Sequence, residues 1–197
     1  MKSTIISSLA LLGTASAVSL PNGDLFGWKR PCSQAEVALA TGIHLNIQGQ
    51  YGEYNGTLNV EKAEQAHPSG PSPAFYDAQG QLQSDVQTGM NLRLFNQQIA
   101  PPGNPAIPGL SQYVLISVRS IRKRGMLTGF RYEAAQQTEK NQANELTGIY
   151  ATDKPTLDML KTEIMNGIQL NEKNLKAAVS ECDFTLKFPP ANEQALS

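Results

Sequence analysis

Two cysteines, Cys32 and Cys182, are all the chain has, and they sit at opposite ends of its central region. In an oxidising compartment two cysteines allow a single intramolecular pairing. That pairing would join the start of the folded region to its end. On the chain-entropy account a loop of that length contributes roughly 5 kcal/mol, less whatever strain the bond imposes. The alternative is a redox or nucleophilic thiol. Neither cysteine has a neighbouring histidine or a second cysteine at the spacing that generates a thiolate, so the structural disulfide is the favoured reading.

The oxidising compartment is itself legible. Met1-Lys2 opens a basic n-region, Ile5 to Gly13 is a short apolar run, and Ala15-Ser16-Ala17 has the small-x-small pattern of a cleavage site. Residues 1–17 therefore read as a secretory signal peptide, with a product that is secreted, extracellular or cell-wall associated. No later apolar run approaches the roughly 20 residues of a membrane-spanning helix, so an integral membrane protein is not expected. Net charge is −1, which gives no field to draw in nucleic acid.

The composition, poor in aromatics and rich in Gln, Asn and Ala, favours an all-α domain: a single bundle of about four helices spanning residues 32–182. Residues 18–31 read as an N-terminal arm. Lys29-Arg30 resembles a dibasic processing site that Pro31 would obstruct, and an uncut arm with Trp28 tucked on the domain is the competing reading.

Ser33 and Glu36 form a capping box. From there Val37, Ala40, His44, Ile47, Tyr51, Tyr54 and Leu58 recur at helical spacing. Gly42, Gly49, Gly52 and Gly56 count against that helix, and Ile43, Leu45 and Ile47 offer an alternating strand as its rival. Residues 67–80, with three prolines, predict a loop. A second helix is expected from Leu82 to Ala100, with Leu82, Val86, Met90, Leu94 and Gln97 along one side, stopped by Pro101-Pro102. Glu133 to Leu146 predicts a third, polar helix ending at Gly148.

The last helix is expected to be capped by Thr152 or Asp153, with Pro155 in its first turn. Its stripe runs through Leu157, Leu160, Ile164, Ile168, Asn171, Leu175 and Val179 to Cys182. Residues 183–197 read as an extended tail that frays. A weak echo links Gly42-Ile43-His44-Leu45-Asn46, Gly167-Ile168-Gln169-Leu170-Asn171 and Gly89-Met90-Asn91-Leu92, as if small residues allow close helix approach.

The chain has no nucleophile elbow, zinc-binding helix, phosphate loop or dinucleotide fingerprint, so no cofactor, metal or catalytic residue is assigned. His44 reads as a hydrogen-bonded core histidine and His67 as an exposed loop residue. Glu133, Glu139 and Glu145 read as a solvated helix face rather than a converging carboxylate pair. Asn55-Gly56-Thr57 makes Asn55 a candidate N-glycosylation site.

Several segments resemble a group of small secreted fungal proteins. They are the cysteine that opens a helix (Cys32), GIHLNIQGQ at 42–50, NQQIAPPGN at 96–104, ELTG at 145–148 and GIQLNEKNL leading to Cys182. The resemblance implies an all-helical, single-disulfide domain with no assigned enzymatic activity. A looser architectural similarity is to hydrophobic-surface-binding and cell-wall mannoprotein bundles. The function expected is binding at the cell wall or toward a host or competitor, as an effector candidate, with a cell-wall polymer, a lipid or hydrophobic surface, or a host protein as partner. The alternatives are a hydrolase with a site unrecognisable from sequence and a membrane-active protein.

Residues 113–131 stand outside that resemblance. They lack Ala, Gln, Asn, Asp and Glu, yet carry Arg119, Arg122, Lys123, Arg124 and Arg131. Of 16 basic and 17 acidic residues, removing these five and Lys2 leaves 10 against 17, a net charge near −7. Three readings compete: a β-hairpin, a basic patch for anionic lipid or polysaccharide, and a translated intron. For the last, Gln112-Tyr113-Val114 can be encoded as CA-GTATGT, Met126-Leu127-Thr128 can contain CTGAC, and Phe130-Arg131 can be TTTAG-A. Fungal introns commonly carry these signals in this order. Excision would join PGLSQ to YEAAQQTEKNQANEL.

Overall fold

The computed structural model describes residues 29–110 and 134–193. The signal peptide, the arm up to Trp28, Glu133 and the 113–131 stretch with its five basic residues all lie outside the described residues.

Ser33 caps the first helix, α1 (Gln34–Ala66), through the anticipated capping box. Its hydroxyl oxygen accepts from the Glu36 N–H at 3.3 Å, and its own N–H donates to Glu36 Oε2 at 2.8 Å. Residues 43–47 are helical, which excludes the rival strand. The second helix, α2 (Pro73–Ile99), begins well before the expected Leu82. Ser72 accepts from Phe75 N–H at 3.2 Å and Pro73 occupies the first turn, a start signal that the preceding prolines obscured. The loop is thereby cut to residues 67–72.

Residues 107–110 are helical, and α3 (Ala134–Glu145) follows beyond residue 133. Gly148 then turns the chain at φ +79, where a Cβ would also strike Pro71. The final helix, α4 (Tyr150–Ala178), starts earlier than expected. Its cap is Ile149, so neither Thr152 nor Asp153 is the cap, and Pro155 sits inside the helix. The ring is tolerated there because Pro155 and Ala151, whose carbonyl would lack its partner, are both exposed to water. The Asp153 carboxylate instead reaches back, accepting from the N–H groups of Thr147 (2.6 Å) and Gly148 (2.9 Å).

The molecule is an all-α, up-down-up-down bundle closed by one disulfide, Cys32–Cys182. Beside that bond, β1 (Arg30–Pro31) and β2 (Cys182–Asp183) form a short parallel bridge. Lys29 Nζ donates to the Ser180 carbonyl at 2.7 Å, and Arg30 grips both oxygens of Glu36 at 2.6 and 2.7 Å. That guanidinium, with the Ser33 donors, holds the Glu36 carboxyl at about 2 against the opposing effect of burial. The dibasic pair is thus tied into the fold.

The core falls into two clusters. Near the disulfide are Leu39, Ile43, Ile47, Ala106, Leu110, Leu160, Ile164, Ile168 and Ala178. At the far end are Val60, Ala63, Phe75, Leu82, Val86, Ala143, Leu146 and Leu157.

Candidate functional site: a polar layer inside the bundle

Between the two clusters the interior is polar. Along α1, Leu39, Ile43, Asn46, Gln50, Glu53, Thr57, Val60 and Glu64 are each no more than 1% exposed. They recur at alternating steps of 4 and 3, an a/d seam whose middle is hydrophilic. The expected α1 stripe lies one residue beside this seam: its Ala40, His44 and Ile47 are buried, but Val37, Tyr51 and Tyr54 are half-buried and Leu58 is exposed. On α2 the buried line runs Phe75, Leu82, Val86, Gly89, Arg93 and Asn96, while Leu94 of the expected stripe is exposed. On α4 the expected stripe is the buried face from Leu157 through Asn171 and at Cys182, with Leu175 and Val179 half-buried.

Glycine explains how polar side chains fit. Gly42, Gly49 and Gly56 share a heptad position along the face of α1 that meets α2. A Cβ at Gly42 would overlap Asn96 Oδ1, and one at Gly89 would overlap Glu53 Oε1. Each of these two glycines makes a recess that a carboxylate or amide from the facing helix fills. The helix-breaking cost that counted against α1 is therefore offset by close packing of two backbones.

The charged centre is Glu53, Arg93 and Glu139. Arg93 Nη1 lies 3.6 Å from Glu139 Oε2, with both side chains buried. Burial drives the Glu53 carboxyl well above its ordinary range, Arg93 pulls it down, and Glu139 and Asp85 push it up. Burial thus favours the neutral form of Glu53 beside the Arg93–Glu139 pair. Glu139, expected on a solvated face, is 3% exposed, because α3 turns that face onto α2. Glu145 does lie in solvent. Toward α4 the layer continues as Asn171 Nδ2 donating to Gln50 Oε1 at 2.8 Å, with Asn174 Nδ2 donating to Asn171 Oδ1 at 3.3 Å.

A second buried acid lies where α1 ends and α4 begins. Glu64 is 0% exposed, and burial, then the adjacent Asp153 and Glu61, raise its carboxyl to about 8. Nearby, Lys161 Nζ donates to Glu61 at 2.8 Å and Tyr150 Oη donates to the same carboxylate at 3.2 Å.

His44 is buried, but its Nε2 has no hydrogen-bond partner among the described residues. Its ring stacks on Phe188 of the tail at 4.4 Å and 9°. Burial lowers its pKa. His67 is exposed at the end of α1. Asn55 is exposed, while the Thr57 hydroxyl of its sequon donates to the Glu53 carbonyl at 2.9 Å.

Chemically, a carboxyl group whose neutral form burial favours, next to an arginine–carboxylate pair, has the parts of an acid–base site. At 1%, 6% and 3% exposure, however, Glu53, Arg93 and Glu139 offer no reacting atom to solvent in this closed arrangement. Among the described residues no group of three or more His, Cys, Asp or Glu is placed to hold a metal ion, and no helix is long and apolar enough to cross a membrane. No family model matches this chain, nor does any curated protein or solved structure.

The polar layer is the feature sequence reasoning missed. A signal for it existed in the heptad spacing of Gly42, Gly49 and Gly56, which marks the face where another helix comes close.

Proposed function

We propose that this is a secreted, non-catalytic protein that works by binding at the cell wall or toward a host or competitor, with a lipid or hydrophobic surface as its ligand. The observation that carries the reading is a set of exposed apolar side chains at one place on the bundle. Phe95, 40% exposed, lies beside Gly42 where α1 meets α2, and Leu45, 37% exposed, stands one helical turn from Gly42 on α1. Large apolar groups gathered at one seam are the usual mark of a surface that meets something apolar. The disulfide supports an oxidising destination.

Titration with a fluorescent fatty acid tests this. Saturable binding that weakens at least about tenfold in the Leu45→Ser/Phe95→Ser double variant is the expected result, since burying two such side chains accounts for roughly 2–4 kcal/mol. A probe signal that never saturates, or that the double variant leaves unchanged, removes the lipid reading.

A further inference from the structure

The helical pieces on either side of residues 111–133 fit the register of one helix. Gln97 Nε2 on α2 donates to the Leu110 carbonyl at 3.0 Å, which fixes where the first piece stands. Lys140 Nζ donates to Gln87 Oε1 at 2.9 Å, and Gln79 Nε2 donates to the carbonyls of Ala143 and Leu146 at 3.0 and 3.2 Å, which fixes the second.

In an antiparallel helix pair, one step forward on one helix is matched by one step back on the other. Here α2 is traversed only from Gln97 to Gln87 while the facing chain runs from Leu110 to Lys140, an excess of 20. Measured to Leu146 the excess is 18, to Ala143 it is 15, and to the Arg93–Glu139 pair it is 25. The α4 side agrees. Gly109 abuts Asn174, and the Glu163 carboxylate takes a hydrogen bond from Gln142. From Asn174 to Glu163 on α4, against Gly109 to Gln142 on the facing chain, the excess is 22. These five values average 20. Their scatter is what long side chains produce, since roughly 6 Å of reach equals about four residues at 1.5 Å of rise each.

The compositionally foreign stretch, Tyr113 to Arg131, has that same length to within a single residue. Carrying the α3 register back from Lys140 sets residue 134 level with residue 93 of α2, while Leu110 stands at 97. The space between the two pieces is therefore about one helical turn. Without 113–131, only Ser111, Gln112, Tyr132 and Glu133 remain to fill it. The same level holds Asn46 and Asn96, fully buried amides with no partner among the described residues, so a polar turn suits the space.

We propose that residues 113–131 interrupt what is a single helix running from Ile107 to Glu145, and that the working protein lacks them. It then carries none of Arg119, Arg122, Lys123, Arg124 or Arg131, and binding to anionic surfaces through those residues is not part of its function. Fatty-acid binding and this register stand or fall separately.

Two measurements test it. The first compares thermal unfolding of the full chain, a variant lacking 113–131, and a variant lacking 114–130, which retains both end residues and so rotates the rejoined helix by about 200°. The 113–131 deletion is expected to melt at least about 5 °C above both others. If it fails to fold, melts no higher than the full chain, or matches the 114–130 deletion, the single-helix register is wrong. The second is the intact mass of the protein exported by its natural source. A mass short by the stretch 113–131 is expected, and a mass that includes it overturns the claim about the working form.

Discussion

Helices α1 and α4 lie antiparallel, joined at one end by Cys32–Cys182 and tied toward the other by Glu61 and Lys161, yet they were not equally legible. The interior seam of α4 is apolar from Leu157 through Ile168, between the buried polar residues Asp153 and Asn171. That of α1 is apolar at Leu39, Ile43 and Val60 but polar through Asn46, Gln50, Glu53 and Thr57 and at Glu64. Hydrophobic periodicity found the first seam and missed the second. Burial is a property of position, and a residue's polarity reports position only where the interior is apolar. Two helices in one core can follow the same 3–4 geometry while one of them hides it.

The largest expected contrast comes from truncating the legible seam. Leu160→Ala, at 0% exposure in the disulfide-end cluster, should cost about 2–5 kcal/mol in denaturant unfolding. A loss below about 1 kcal/mol would mean that α4 contributes no more through its apolar seam than α1 does through its polar one.

A pH titration of stability probes the α1 seam next. Glu64 has its folded-state pKa raised to about 8 from an ordinary value of 4.5. The stability linked to its neutral form is therefore fully present below about 4.5 and is lost as pH rises through 8. Glu53, also raised, acts in the same direction. Melting should fall between pH 5 and 9 by roughly 5–15 °C, a cost of about 2–4 kcal/mol. Glu64→Gln should reduce that slope and leave the share that Glu53 carries. A wild-type profile that rises toward pH 9 would show that Glu64 is ionised in the fold.

The smallest effect sharpens the account of glycine. Gly89→Ala places a methyl where Glu53 Oε1 lies and should cost about 1–3 kcal/mol. Gly80→Ala, in the same helix with nothing within 4 Å, should instead gain up to about 1 kcal/mol from helix propensity. Equal effects at the two positions would deny that the recess at Gly89 is made for a side chain.

Local chemistry was readable wherever it depended on neighbours in the chain. The Ser33–Glu36 capping box, the turn at Gly148, the Pro101 stop and the α4 stripe all rest on contacts within a few residues or on an apolar period. Starts were misplaced where two signals competed, as with Ser72-Pro73 inside a proline-rich stretch and Ile149 ahead of Thr152. Glu139 was misassigned because a polar helix carries no mark of which face its neighbours will cover.

By itself the sequence determined the all-helical class and the cysteine pairing, because those follow from composition and count. Only the tertiary structure decided that Glu53, Arg93 and Glu139 share an interior layer and that Leu110 and Lys140, on either side of residues 111–133, both stand against α2. Both facts are relations between helices far apart in the chain. The interior layer further depends on how Gly42 and Gly89 let α1 and α2 approach, which glycine spacing hints at but only the packed helices fix.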